Sequence, residues 1–305
     1  MRIVRLSRAA RHFGPTWRYV FNFGPTVSYK FSREALNGEA KRVLIDLNQK
    51  GIAITSAARL PGTISAYAEL EKSVDQLEER LSVDIKAARV RSAVDGTVGE
   101  KTFLVELLGV TPVLDRTGIY ARFALQPQIL KIANAYFGMY ARLRYYNIWH
   151  TLAADSRPRE SQLWHRDRED RRILKVFVCL SNVTDDAGPF TYAPGTHRWL
   201  REEPAFAMEG DVKRTTDEQM AQVVAPEKWI KGVGPRGTII FADTSGFHKG
   251  GFARRRDRIM YTCMFTSPAS DSKELLTRTR SDNRPVHENA FALAATKPGP
   301  WLNWR

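Results

Sequence analysis

The chain has 305 residues, 43% hydrophobic and 26% charged, with a formal net charge of +14 at pH 7. That mix supports a sizeable core and excludes a disordered or fibrous chain. No apolar run approaches the roughly 18–20 residues that a membrane span requires. Cys179 and Cys263 lie inside apolar runs and read as buried thiols rather than a disulfide framework. The positive surplus admits nucleic acid, anionic surfaces or acidic small molecules as partners. No helix-turn-helix, zinc-finger or RNA-recognition pattern accompanies it, so nucleic acid is disfavoured.

The first 33 residues hold no Asp or Glu but include Arg2, Arg5, Arg8, Arg11, Arg18, Lys30 and Arg33. Such a start is compatible with organellar import. Because Trp17, Tyr19, Phe21 and Phe23 alternate as in a strand, a basic arm packed on the domain is expected instead, in a cytoplasmic protein. Ser32 predicts the N-cap of a helix over 33–49, stopped by Gly51. A strand over 52–55, a turn at Pro61-Gly62 and a helix over 64–81 follow. Residues 82–125 carry little periodicity, although 101–108 reads as helical. A helix over 126–140 leads into an aromatic-rich strand at 142–150.

Beyond it the texture changes to short apolar runs, 173–180, 190–193, 237–242 and 259–265, broken by Gly, Pro and Asp. One helix, over 216–224, interrupts them. Short strands at such intervals predict a sandwich or barrel. The expected layout is one domain over 1–305. Its parts are a basic arm with mainly helical support over 1–140, a β core over 141–270 and an extension over 271–305.

The chemistry-bearing stretch is His165-Arg166-Asp167, just ahead of the 173–180 run. On extended backbone, residues i and i+2 share a face, so imidazole and carboxylate can reach one point. Two histidines and one carboxylate form the facial triad of non-haem ferrous oxygenases, and His248, at the end of the 237–242 strand among glycines, is the candidate third ligand. Between them lie Gly188-Pro-Phe190 and Pro194-Gly-Thr-His197, and Arg258 opens the last strand ten residues beyond His248.

In this ordered set, from about Tyr145 to Ser267, the chain resembles the phytanoyl-CoA dioxygenase family of Fe(II)/2-oxoglutarate-dependent oxygenases. The resemblance implies a mainly β (α+β) fold with helical support, a double-stranded β-helix or jelly-roll. It implies that His165, Asp167 and His248 hold iron and that Arg258 seats the far carboxylate of 2-oxoglutarate, a task suited to a permanently charged planar fork. Asn147, Phe177 and Lys175 are further cosubstrate candidates. Gly250 departs from the family, which often has a hydroxyl residue there. O2 is the other reactant; the aromatic residues near the site and the positive surplus, rather than the resemblance, lead us to expect a small, anionic or partly apolar substrate. Retention of Asp167 favours hydroxylation over halogenation. The alternatives are a nucleic-acid dealkylase, whose usual second arginine is Met264 here, and a non-catalytic basic binding domain on the same fold. Oligomeric state is not legible.

Overall fold

The computed structural model describes residues 13–92, 101–155, 157–197, 207–209, 212–270, 273–277 and 292. Most of the basic start and most of the 271–305 extension, His287 included, lie outside the described residues. The architecture is mixed α/β, and its sheets are built from antiparallel pairings.

The expected N-terminal strand is helical instead. A turn at Gly14–Thr16, opened by Pro15, runs into a wide turn at Trp17–Phe21, and α1 spans Phe23–Ser32. Proline pre-sets the backbone of a first helical turn, which overrides the aromatic alternation. Of those aromatics only Trp17 is buried, and its Nε1 donates to Asp170 Oδ1 at 2.7 Å. Ser32 closes α1 rather than capping the next helix. Its hydroxyl lies against the Ser28 carbonyl and the Tyr140 hydroxyl, and α2 (Gly38–Lys50) starts after Asn37. Gly51 ends α2 at φ 82°, where a Cβ would also lie 2.3 Å from the Tyr192 hydroxyl. Strand β1 (Ile52–Ser56), α3 (Ile64–Arg80) and α4 (Ser82–Ser92) follow.

The expected helix over 101–108 is replaced by β2 (Leu104–Glu106). Three residues there pair with the edge of β3 (Arg142–Thr151), so an open row of backbone hydrogen-bonding groups outweighs local helical spacing. Helices α5 (Ile119–Ala124) and α6 (Pro127–Phe137) precede β3. After it come β4 (Leu174–Cys179), β5 (Thr191–Tyr192), the hairpin β6 (Ala207–Glu209) and β7 (Val212–Arg214), α7 (Asp217–Ala221), β8 (Ile230–Lys231), β9 (Thr238–Asp243), β10 (His248–Lys249) and β11 (Arg258–Thr266).

The main sheet has six strands in the order β1-β9-β4-β11-β3-β2, and a three-stranded sheet runs β10-β5-β8. Strand alternation divides the main sheet into two faces. Tyr146, Ile148, Val176, Val178, Ile239, Phe241, Tyr261, Cys263 and Phe265 join one core with Val43 and Leu47 of α2, Leu70 and Val74 of α3 and Ile129 and Ile132 of α6. Each fully buried aliphatic or aromatic side chain there stabilises the fold by about 1.5–3 kcal/mol. The residues between them, including Tyr145, Trp149, Lys175, Phe177, Arg258, Met260 and Met264, face a cavity. Both cysteines are buried free thiols. Among the described residues, no helix is long and apolar enough to cross a membrane.

An ionic cluster pins the end of β3 to the start of β11. His150 Nε2 lies 2.7 Å from Asp257 Oδ2 and its Nδ1 lies 3.0 Å from Glu78 Oε1. Asp257 Oδ1 accepts from the Ala153 amide at 2.9 Å, and Arg89 of α4 pairs with the same carboxylate. Burial opposes charge on His150, but the hydrogen bond to Asp257 and the Glu78 carboxylate beside Nδ1 outweigh it and raise the imidazole to about 9. Because the folded value exceeds the unfolded one of about 6.5, this stabilisation is full below pH 6.5 and is lost as pH rises through 9. The melting-temperature gap between the native protein and His150→Gln is therefore expected to narrow between pH 6 and pH 9.5, by at most about 2–3 kcal/mol of stability. A gap constant with pH would mean that His150 is not held protonated.

Candidate functional site

The metal-site segment follows a turn at Glu160–Gln162 and runs on toward β4. His165 and His248 are joined backbone to backbone: the His165 amide donates to the His248 carbonyl at 2.9 Å, and the return bond is 3.0 Å. The Asp167 amide donates to Thr244 at 2.9 Å, which fixes the alternation so that His165 and Asp167 share a face. Arg166, between them, must point away. Its guanidinium donates to the Ser245 carbonyl at 2.7 Å and the Thr196 carbonyl at 2.9 Å and lies over the Phe247 ring. It thereby ties together the two loops flanking His248.

The Pro194-Gly-Thr-His197 loop has a structural part here. The Thr196 hydroxyl donates to Ala193 and accepts from the Phe247 amide at 2.7 Å, next to His248. Glycine is needed two residues after Lys249: at Gly251, with φ 73°, a Cβ would stand 2.3 Å from the Pro189 carbonyl. At Gly250 the amide donates to the Ser161 carbonyl at 2.6 Å, and that carbonyl would lie 3.2 Å from an added Cβ.

One ligand-type atom from each of His165, Asp167 and His248 lies within 4.8 Å of the others. His165 Nδ1 is 2.9 Å from the Leu163 carbonyl and His248 Nδ1 is 3.0 Å from the Gly246 carbonyl. A carbonyl only accepts, so each Nδ1 carries the hydrogen and each Nε2 keeps its lone pair. Burial holds His165 well below the usual imidazole range and lowers His248 to about 4, so both rings are neutral at pH 7. Burial opposes ionisation of Asp167, but the Lys175 ammonium beside it holds it below the usual carboxylate range. Two neutral imidazoles and a carboxylate are thus presented toward one point, the donor set of a divalent-cation site.

The Lys175 ammonium stands 2.6 Å from Asp167 Oδ2, an ion pair that falls short of a directed hydrogen bond. Despite burial, Asp167 and then Glu169 keep Lys175 above its ordinary value. Arg258, paired with Thr151 across β3 and β11, is 6% exposed. Its Nη2 reaches the Thr151 hydroxyl at 3.4 Å, whereas Nε and Nη1 are buried with no partner. Burial pushes its guanidinium down to about 10, still protonated at neutral pH. A buried cation with two unanswered donors is costly unless an anion meets it.

A cavity of about 1010 Å³ connects these groups, walled by His165, Asp167, His248, Lys175, Phe177 and Arg258 among others. Phe177 stacks on Phe190 at 4.7 Å and on Trp149 at 6.2 Å. Asn147 shares their strand face but not the cavity wall. Its Oδ1 accepts from Leu108 and Ile148, and its Nδ2 donates to Gly109 at 2.8 Å. The geometry gives Asn147 the task of holding the Leu108–Gly109 segment against β3.

Phe190, Thr151 and Met260 also wall the cavity, and sequence reasoning did not single them out. Phe190 lies within the Gly-Pro-Phe turn and is 5.6 Å from the His248 ring. Thr151 was findable as the next same-face residue after Trp149.

The phytanoyl-CoA dioxygenase (PhyH) family model matches residues 145–256. No curated protein matches the chain in sequence. Among solved structures, EctD from S. alaskensis with 2-oxoglutarate and 5-hydroxyectoine is similar at 16% identity and TM-score 0.53, over 91% of this chain and 90% of that one. EctD from S. alaskensis with bound Fe aligns at 16% identity and TM-score 0.52, over 81% and 91%. The epimerase SnoN in complex with Fe3+, alpha ketoglutarate and nogalamycin RO aligns at 16% identity and TM-score 0.50, over 75% and 84%. At that identity the structural likeness speaks to the fold. The family match spans 112 of the 305 residues, the stretch that carries the His-x-Asp and the distal His.

Proposed function

We propose that the protein is an Fe(II)/2-oxoglutarate-dependent dioxygenase that hydroxylates an unactivated C–H bond of a small, anionic or partly apolar molecule. The observation that carries this reading is the convergence of His165, Asp167 and His248 beside a buried arginine with two unanswered donors. The sheets are read as a double-stranded β-helix within one domain over 1–305, the iron site lying between the main sheet and the short β10-β5-β8 sheet.

In this reading Nε2 of His165, Nε2 of His248 and the Asp167 carboxylate hold the metal. The two Nδ1–H···O=C bonds keep both rings in the ligating tautomer. Arg258 seats the distal carboxylate of 2-oxoglutarate, and Phe177 and Phe190 form a dry wall beside it. Lys175 keeps Asp167 ionised while balancing its charge. Bound iron, 2-oxoglutarate and O2 would supply the oxidising chemistry, with succinate and CO2 released. The residues of the chain bind, orient and exclude water. Met264 stands on the cavity wall where a nucleic-acid dealkylase has its second arginine, so that alternative gains no support.

Anaerobic Fe(II) plus 2-oxoglutarate is expected to give the weak visible charge-transfer band of a chelate at this site. Correctly folded protein that binds both without producing the band would overturn the reading.

A further inference from the structure

The cavity is larger than a five-carbon diacid needs, at the upper end of the roughly 300–1,000 Å³ of small-molecule sites. Seven basic and three acidic side chains line it. Under the oxygenase reading, on which this inference rests, a divalent iron and a dianionic cosubstrate cancel each other. The walls, Arg258 included, then keep a net surplus of four positive charges that the iron and the cosubstrate together leave uncompensated.

Most of those cations have stated work. Lys175 faces Asp167, Arg166 is bound to two backbone carbonyls, and Arg214 lies 3.1 Å from Glu160. Lys101 is different. It is solvent-exposed on the cavity wall just before β2, and among the described residues no ion pair or hydrogen bond engages its ammonium. Desolvation lowers its pKa and Lys175 and Arg214 add to the shift, against Glu106 and Glu160, which oppose it, so the ammonium sits in a recess of mixed charge whose walls carry a positive surplus. Such a recess favours an anion over a neutral guest. Leu104 and Val110, on the same segment, and Leu275 supply apolar wall beside it. Leu275 is brought there by its neighbour Glu274, which pairs with buried Arg142.

We propose that Lys101 is a specificity-determining residue that receives the carboxylate or phosphate of a partly apolar substrate, whose hydrocarbon part lies along Leu104, Val110 and Leu275. Arg258 then serves the cosubstrate and Lys101 the substrate. One cavity thereby separates two anions by giving each its own cation.

The test uses octanoate, octyl phosphate, octanol and octylamine as probes. Each is titrated calorimetrically into the protein, both metal-free and loaded anaerobically with Fe(II) and 2-oxoglutarate. Octanoate or octyl phosphate is expected to bind at least tenfold more tightly than octanol, with octylamine weakest. Whichever of the two anions binds better identifies the head group. Lys101→Met should abolish that preference, Lys101→Arg should keep it, and Lys101→Glu should turn it toward octylamine, a gain that misfolding cannot produce. The chelate band should form in all four proteins. Equal binding of the four probes, or an unchanged preference in Lys101→Met, overturns the proposal even where the band forms. Loss of the band with the Lys101-dependent preference intact in metal-free protein would instead count against the oxygenase reading alone.

Discussion

Replacing Arg258 by Met is expected to raise the melting temperature of the ligand-free protein while weakening 2-oxoglutarate binding by roughly 30- to 4,000-fold. The two effects have opposite signs because the guanidinium does different things in the two states. Without ligand it is a desolvated cation whose Nε and Nη1 have no partner. An unsatisfied buried polar group of this kind costs about 1–3 kcal/mol. Methionine fills similar volume beside Met260 and removes that penalty, which corresponds to a rise of a few degrees. With a dicarboxylate present, truncating one side of a buried charge pair costs about 2–5 kcal/mol, which is the expected loss of affinity. Melting curves with and without 2-oxoglutarate read both signs in one experiment. A variant destabilised in both states would make Arg258 a structural residue.

Asp167→Ala is expected to weaken Fe(II) binding by more than 100-fold and to abolish 2-oxoglutarate-dependent succinate formation. Loss of a hydrogen-bonding partner behind a metal ligand typically costs 10–100-fold in affinity, so loss of the ligand itself should exceed that. The substitution also strands the Lys175 ammonium, which stands 2.6 Å from Asp167 Oδ2, and so is expected to lower stability. Adding Lys175→Met to Asp167→Ala separates the two consequences. The double variant should regain stability and still fail to bind iron. Recovery of iron binding along with stability would remove Asp167 from the ligand set.

The legibility of the site followed from local geometry. His165 and Asp167 are two residues apart on extended backbone, so their shared face was implied by spacing alone. The Gly51 stop, the 64–81 helix and the β3, β4, β9 and β11 runs were legible for the same reason: each is a property of a short window of chain. Errors arose where a partner distant in sequence decided the outcome. Residues 104–106 became a strand because β3 had an open edge, and the aromatic start became helical while anchoring Trp17 on Asp170, 153 positions away.

What the sequence by itself determined was the inventory: a globular-type composition, a basic surplus, and histidine, carboxylate and arginine in an order that resembles a known family. Only the tertiary structure decided which of those groups act at one point. The His165–His248 backbone pairing, across 83 positions, brings the second imidazole to the first. The β3–β11 register places Arg258 beside Thr151 with donors unanswered, and the same packing turns the Asn147 amide onto Leu108 and Gly109. The physical reason is that side-chain direction follows from local backbone period, whereas the partner a side chain meets is set by long-range packing and desolvation.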